Sequence, residues 1–285
     1  MLISVIVPTY NRNDLLSQCL DRLSPAFQTI GASEYSVFVT DDSKDHKAKG
    51  LLEEKYPWAQ WLAGPQKGPA ANRNNGAKKA TGNWLVFIDD DCLPEKNLLE
   101  EYKRAISTYP ESLAFEGAIL PDDYQLLKKD MSDCPVNTEG GCFWSANICI
   151  NKQLFEKLHG FDEDYLIAAQ EDQQMKIDIE AETGKKIVFL NQCVVIHPVR
   201  FLNVSSQIKK IPIASKNFVI YVNKNKRILS YNSTVDFGFK QFGFHLRRTI
   251  SLAKAGKVKS LIVAVAWLLY GVPLNIINLR KTNNL

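Results

Sequence analysis

The sequence predicts an α/β fold: a mostly parallel sheet flanked by helices, followed by a helical appendage at the C-terminus. Three observations carry this expectation. Apolar runs of five or six residues alternate with helix-like stretches through the first 110 residues, which is the pattern of strands buried on both faces. Three of those runs stop abruptly at polar, mostly acidic clusters. After about residue 198 the composition turns basic and apolar and loses every strand-like alternation. The chain has 285 residues, 45% hydrophobic and 23% charged, and a chain of that size buries roughly three quarters of its unfolded surface.

Leu2–Val7 reads as a buried strand, and Asn13–Leu23 as a helix with Leu15, Leu16, Cys19, Leu20 and Leu23 on one face. Tyr35–Thr40 gives a second strand, Trp61-Leu62 a short third, Pro69–Ala80 a helix and Trp84–Ile88 a further strand. In open sheets of this kind ligands sit beyond the carboxyl ends of the strands. Pro8-Thr9-Tyr10-Asn11-Arg12, Asp41-Asp42-Ser43 and Asp89-Asp90-Asp91 stand at those ends and are expected to converge. Residues 121–140 read as an irregular insertion. A strand (Ile148–Ile150), a short helix, a Gly160-Phe161-Asp162 turn and an acidic helix over Glu171–Glu182 follow. Two strands, Ile187–Leu190 and Cys193–Ile196, then lead to His197-Pro198. The expected division is a catalytic domain over 1–200, with a nucleotide-binding half to about 110 and an acceptor half from 111, and a tail over 201–285.

The six cysteines are scattered with no C-x-x-C pair, as suits free thiols in a reducing compartment. Met1 leads into the first apolar run without a basic start or cleavage site, so a cytoplasmic protein is expected. The net charge of +4 conceals a division. Residues 1–183 hold 18 Lys/Arg against 30 Asp/Glu, whereas 17 Lys/Arg from Gly184 onward face one acid, Asp236. Such a tail suits an anionic partner. In Asp236–Gly256 the apolar Phe239, Phe242, Leu246, Ile250 and Ala253 fall at helical spacing, with Lys240, Arg247, Arg248 and Lys254 between them. That is a basic amphipathic helix. The uncharged run between Lys259 and Arg280 is long enough to span a bilayer, yet Gly271, Pro273, Asn275 and Asn278 interrupt it. An anionic membrane surface, on the inner face of the cell membrane, is therefore the expected partner. A spanning helix, packing on the catalytic core and a homo-oligomeric contact stay open. Nucleic acid is not expected, because the basic residues are interleaved with aliphatic ones and no binding motif occurs.

An apolar strand ending in D-x-D offers Asp89 and Asp91 from one side of the chain, and such oxygens suit a hard divalent cation. A cation there can bridge a diphosphate and stabilise its charge as it leaves. The competing readings are a solvated turn and the D-x-D nucleophile of haloacid-dehalogenase enzymes. The latter lacks its Thr here, since Cys92-Leu93-Pro94 follows.

Six ordered blocks resemble the family-two inverting glycosyltransferases of the GT-A fold: Leu2–Arg12, Val37–Ser43, Gly68–Gly76, Thr81–Pro94, Gly160–Glu163 and Glu171-Asp172. The resemblance covers about residues 2–198. It implies that Pro8, Tyr10, Asp41 and Asp42 hold the nucleoside, with Asp42 nearer the base, and that Arg73 faces the nucleotide or its diphosphate. It implies Asp89 and Asp90 at the donor, Asp91 as the main ligand of Mn2+ or Mg2+ with Asp89 beside it, and His197 as a further ligand. Asp172 is implied as the base that takes the acceptor proton during inversion. The implied partners are a nucleotide-diphosphate sugar and a saccharide or lipid-linked saccharide acceptor. Two positions depart from the family pattern: Asp42-Ser43 lacks the usual small residue between them, and Gln174 replaces an acid two positions after the base. The Q-x-x-R-W motif of processive synthases is absent, so single-sugar addition is expected. A binding protein that kept the fold without turnover is the alternative. A sugar nucleotidyltransferase would need a Gly-rich, Arg-containing loop after the first strand, where Pro8-Thr9-Tyr10 stands.

Overall fold

In the computed structural model of the chain, residues 2–229 and 233–283 are described. Met1 and residues 230–232, 284 and 285 of the expected tail lie outside the described residues. The chain runs through β1 (Ile3–Thr9), α1 (Asn13–Leu23), β2 (Tyr35–Asp41), α2 (Lys47–Lys55), β3 (Gln60–Ala63), α3 (Pro69–Lys79), β4 (Trp84–Ile88) and β5 (Leu93–Pro94). It continues through α4 (Leu98–Thr108), β6 (Ala114–Pro121), α5 (Tyr124–Leu127), β7 (Ser132–Asp133), β8 (Asn147–Asn151), α6 (Lys152–Lys157) and α7 (Glu171–Thr183). After β9 (Val188–His197) and β10 (Arg200–Phe201) come α8 (Val204–Lys224), α9 (Lys226–Leu229), α10 (Thr234–Lys254), α11 (Val258–Ala266), a π-helical turn at Trp267–Gly271, and α12 (Val272–Asn283).

These elements form two units. The first comprises Met1–Asp122, Pro135–Glu163 and Glu171–Pro198; the second comprises Asp123–Cys134, Asp164–Gln170 and Val199–Leu285. The first holds an eight-stranded sheet in the order β3-β2-β1-β4-β8-β6-β9-β5. β1 is buried at every position and pairs in parallel with β2 and β4. Its residues alternate between two cores: Ile3, Val5 and Val7 pack with Leu16, Cys19 and Leu20, while Ile6 packs with Leu85, Phe87 and Phe155. That period of two under helices on both sides explains why the strand reads as continuously apolar. β8 enters antiparallel to both β4 and β6, which makes the sheet mixed beyond its parallel half.

The two strands expected at Ile187–Leu190 and Cys193–Ile196 are one strand, β9, whose register against β6 shifts between Gly117 and Ala118. Asn147 fills that irregularity. Its amide Nδ2 donates to the Ala118 and Cys193 carbonyls, both at 2.9 Å, while its Oδ1 accepts from the Tyr102 hydroxyl at 2.8 Å. β6 and α4 were not singled out from sequence.

The second unit is mostly helical, with a core of Val219, Val222, Phe237 and Leu279. The expected insertion at 121–140 is partly structured: α5 and β7 lie within it, and β7 pairs antiparallel with the two-residue β10. Asp130 caps α11 by accepting from the Lys259 and Ser260 amides at 2.8 and 3.0 Å. Val258–Thr282 is long and apolar enough to cross a membrane, with a mean hydropathy of 2.0. The helix continues past Gly271 and Pro273, and it is tied to its neighbours through Asn278, which donates to Ser215 Oγ at 3.0 Å. On α10 the buried face is Phe237, Gly238, Gln241 and His245. Phe239, Phe242, Leu246 and Ile250 are all exposed, Phe239 by 74%.

Candidate donor and base site

The carboxyl ends of β1, β2 and β4 lie side by side because the three strands are neighbours in parallel register. At the end of β1, Thr9 Oγ1 donates to Asp90 Oδ2 at 2.6 Å, and the exposed Tyr10 follows it. Asn11 is in the left-handed region at φ 54°, and this turn brings Arg12 back over the aspartates. Arg12 Nε donates to Asp90 Oδ2 at 3.2 Å, and Nη1 pairs with Asp91 Oδ2 at 2.9 Å. Asp90 is 0% exposed. Burial pushes its carboxyl up to about 7, opposed by Arg12 and the Thr9 hydrogen bond. Asp90 thus fastens the loop after β1 to the turn after β4, while Asp89 and Asp91 flank it.

At the end of β2 both acids already carry protein donors. Asp41 Oδ1 accepts from the Ser43 amide at 2.9 Å and Ser43 Oγ at 2.5 Å, and Oδ2 from Trp61 Nε1 at 3.4 Å. Asp42 accepts from the Gln66 amide at 2.7 Å and the Gly68 amide at 3.2 Å. The Asp42 carboxylate builds the turn over residues 64–68 that leads into α3, while that of Asp41 holds Ser43 and Trp61.

α3 then distributes three consecutive side chains. Asn72 Nδ2 donates to the Thr40 carbonyl at 2.9 Å and Oδ1 accepts from Thr40 Oγ1 at 2.7 Å. Asn74 Nδ2 donates to the Phe161 carbonyl at 2.7 Å and its Oδ1 accepts from the Phe161 amide at 2.8 Å, holding the Gly160-Phe161-Asp162 turn. Arg73, 3% exposed, pairs with Asp89 Oδ1 at 2.7 Å and Glu171 Oε1 at 3.1 Å. Burial by itself would lower the Arg73 pKa; Asp89 and Glu171 outweigh it and leave it raised. Burial likewise works to raise Asp89, and Arg73 holds it below the ordinary carboxylate range. The arginine expected at a diphosphate is here the strut between the turn after β4 and the start of α7.

Asp172 follows Glu171 in the first turn of α7. Burial raises its carboxyl to about 7, with Glu171 adding to the rise; the Gln173 amide at 2.8 Å, Arg73 and the Ser145 amide oppose it. On the other side, β5 pairs antiparallel with β9, Leu93 opposite Ile196, and this sets Asp91 and Cys92 beside His197. His197 Nε2 lies 3.5 Å from Asp91 Oδ1, and its Nδ1 lies 2.9 Å from the Pro198 carbonyl. With the proton on Nδ1, that carbonyl orients the ring and the Nε2 lone pair faces Asp91. Asp91, Cys92 and His197 form a group able to hold a metal ion, their donor atoms within 4.8 Å of one another. Of the three expected ligands, Asp91 and His197 meet there, while Asp89 turns to Arg73. Cys92 was not foreseen, and burial pushes its thiol well above its usual range. The Asp91 carboxylate and the His197 imidazole are ligands of the kind a divalent cation takes.

Acids stand at the ends of β2 and β4, beside the Thr9–Arg12 loop after β1, and the sheet with its flanking helices is of the GT-A type. Residues 4–124 match the description "Glycosyl transferase family 2", and over that stretch the chain is similar to the family-two glycosyltransferases. It is 26% identical over 180 residues to the GalNAc(5)-diNAcBac-PP-undecaprenol beta-1,3-glucosyltransferase of Campylobacter jejuni, covering 55% of this chain and 56% of that one. The chain thus spans just over half that relative's length, and 17% and 34% of two others it matches. The mannosyltransferase PcManGT from Pyrobaculum calidifontis, solved with GDP-Man and Mn2+, superposes with a TM-score of 0.56 at 19% identity. The superposition covers 98% of this chain and 73% of that one. S. aureus TarS 1-349 in complex with UDP gives 0.55 at 18% identity, covering 100% and 91%.

Replacing Arg73 tests its role as a strut. Arg73→Met leaves Asp89 and buried Glu171 without their cation, which costs about 3–5 kcal/mol, read as a lower denaturation midpoint. An arginine that only touched ligand would leave the midpoint of the free protein unchanged.

Proposed function

We propose that the protein transfers a single sugar, with inversion, from a nucleotide-diphosphate donor to a hydroxyl of a saccharide or lipid-linked saccharide. The observation that carries the reading is one buried chain of charge, Asp89–Arg73–Glu171, joining the acid-rich strand ends to the residue next to Asp172. Donor elements and base are thereby fixed relative to each other, as an in-line displacement requires. Asp41 and Asp42 at the end of β2, with Pro8 and Tyr10 at the end of β1, receive the nucleoside. Asp172 takes the acceptor hydroxyl's proton as the acceptor oxygen bonds to the anomeric carbon and the bond to the diphosphate breaks on the far face. A base with a pKa near the working pH is well matched to this step. Asp91 and His197 would hold Mn2+ or Mg2+, which neutralises charge on the departing diphosphate. The Mn2+ and GDP-Man bound by one structural neighbour, and the UDP bound by the other, support the ligand class.

Catalysis is assigned to residues 1–200 and attachment to an anionic membrane, on its cytoplasmic side, to residues 201–285. The exposed stripe Phe239, Phe242, Leu246 and Ile250 supports this, flanked by exposed Lys240, Arg247 and Lys254 at intervals of seven residues. Each basic residue near a charged leaflet contributes about 1 kcal/mol. The undecaprenol-linked substrate named for the Campylobacter relative favours a membrane-surface acceptor.

A panel of UDP-, GDP- and dTDP-sugars, with and without Mn2+, read as nucleoside diphosphate release, tests the reaction. Release is expected with one sugar nucleotide, lost on chelation and in Asp91→Asn; full activity of that variant in chelator refutes the metal assignment.

The pH profile tests the base. Asp172 acts as its carboxylate, so turnover should climb as pH rises through about 7, and Asp172→Asn should abolish it while nucleotide affinity stays within about twofold. In stability the sign is opposite: a raised carboxyl favours the folded state at low pH, and that contribution is lost as pH rises through about 7. A flat turnover profile from pH 5 to 8 would remove Asp172 from the role.

Attachment is tested with the whole chain carrying Phe239→Asp and Leu246→Asp. Wild type should sediment with phosphatidylglycerol vesicles and the double variant should not. Equal sedimentation of the two would rule out this face of α10.

A further inference from the structure

Glu116 stands in the middle of β6, paired with Ile148 of β8 on one side and Phe189 of β9 on the other. A carboxylate at the centre of a sheet, 2% exposed, is costly unless its oxygens are fully employed. Every partner recorded for them comes from one short stretch. Phe143 N donates to Oε2 at 2.6 Å, Gly141 N donates to Oε1, and Asn137 Nδ2 donates to Oε2 at 3.1 Å. Asn137 is itself fastened to β6, exchanging backbone hydrogen bonds with Ile119 at 2.9 Å, and its Oδ1 accepts from Gly140 N at 2.9 Å.

The stretch so held has an improbable backbone. Gly140, Gly141 and Phe143 have φ of 81°, 86° and 47°, three left-handed residues in four, one of them aromatic. The glycines take this conformation freely, whereas Phe143 keeps it only where its surroundings over-determine it. The other side of the stretch meets α7: the Cys142 carbonyl accepts from Gln173 Nε2 and the Gly141 carbonyl accepts from Lys176 Nζ at 2.6 Å, while the Ser145 backbone lies close enough to lower the Asp172 carboxyl. The whole path from Glu116 to Asp172 lies in one unit.

We propose that Glu116 is a positioning residue for transfer: its buried carboxylate folds residues 137–143 into the shape that seats the first turn of α7 and orients Asp172. This rests on the reading of Asp172 as the base. The charged and titratable groups facing Asp172 are Glu171 on its own helix, Arg73 on α3 and Cys142 on the loop. Among its neighbours the Ser145 amide favours the carboxylate form, and Ser145 lies two residues beyond Phe143, whose amide Glu116 holds. Loosening the loop therefore moves the acid limb of the turnover profile to higher pH.

Glu116→Gln keeps the volume but sets an NH2 against backbone N–H groups. Asn137→Ala removes the second anchor and one donor to the carboxylate, while leaving Glu116 itself and its two backbone donors in place. Hydrogen exchange followed by mass spectrometry needs no substrate. Both variants should exchange faster over residues 137–145 and the start of α7, with β1 and β4 unchanged. Turnover, read as nucleoside diphosphate release from the UDP-, GDP- and dTDP-sugar panel, should fall about tenfold to a hundredfold. The acid limb should shift upward, and affinity for the free nucleoside diphosphate should stay within about twofold. Unchanged exchange and turnover in both variants would overturn the proposal, as would uniformly faster exchange with affinity and turnover lost together. Asp172→Asn is run alongside. If it retains turnover, the base assignment fails and takes the proposal with it; if it is inactive while Glu116→Gln is normal, only the positioning role fails.

Discussion

The buried guanidinium of Arg73 is the constraint on which the site depends. A cation taken out of water has to be surrounded by charge of opposite sign, and Asp89 and Glu171 come from elements 16 and 98 residues away. Satisfying it closes the turn after β4 onto the start of α7. The network is self-consistent: Arg73 holds Asp89 ionised, Glu171 raises its neighbour Asp172, and Asp172 thereby differs from an ordinary surface aspartate. Arg73 thus lowers Asp89, and Glu171 raises Asp172.

Around that strut the aspartates divide their work according to burial. Asp90, wholly enclosed, meets Thr9 and Arg12. Asp91 stands beside His197 because two short antiparallel residues, Leu93 and Pro94, pair with β9. Asp41 and Asp42 spend their oxygens on backbone and side-chain donors of the loops they shape. Three adjacent acids in a sequence therefore become three different chemical groups, and the sheet edge decides which is which.

Much of this was legible in advance, where the signal is local. The strand ends with their acids, the helix beginning at Glu171 and the amphipathic stripe on α10 all follow from patterns within a few residues. What escaped depends on pairing across long separations. Glu116 interrupts an apolar run and looks like a fault in a strand until its partners, 21 to 27 residues on, are in place. Arg73 reads as a ligand-facing arginine because nothing near it in sequence shows two carboxylates waiting. Cys92 reads as core, and its place beside His197 follows only from the pairing of β5 with β9. The split of β9 into two expected strands came from Asn191 and Gln192, whose polarity marks a register shift and not a turn.

The run Asn72-Arg73-Asn74 has a consequence for how this protein can change over time. Successive residues on a helix point about 100° apart, so the three fan outward to β2, to the Asp89–Glu171 pair and to the turn at Phe161. A substitution at one position costs one attachment. A single inserted or deleted residue between Gly68 and Asn72 would turn the helix by a whole step and misdirect all three together, and no later substitution within it restores them. The segment from Gly68 to Asn74 should accordingly be fixed in length among functional descendants of this chain, even where its sequence drifts.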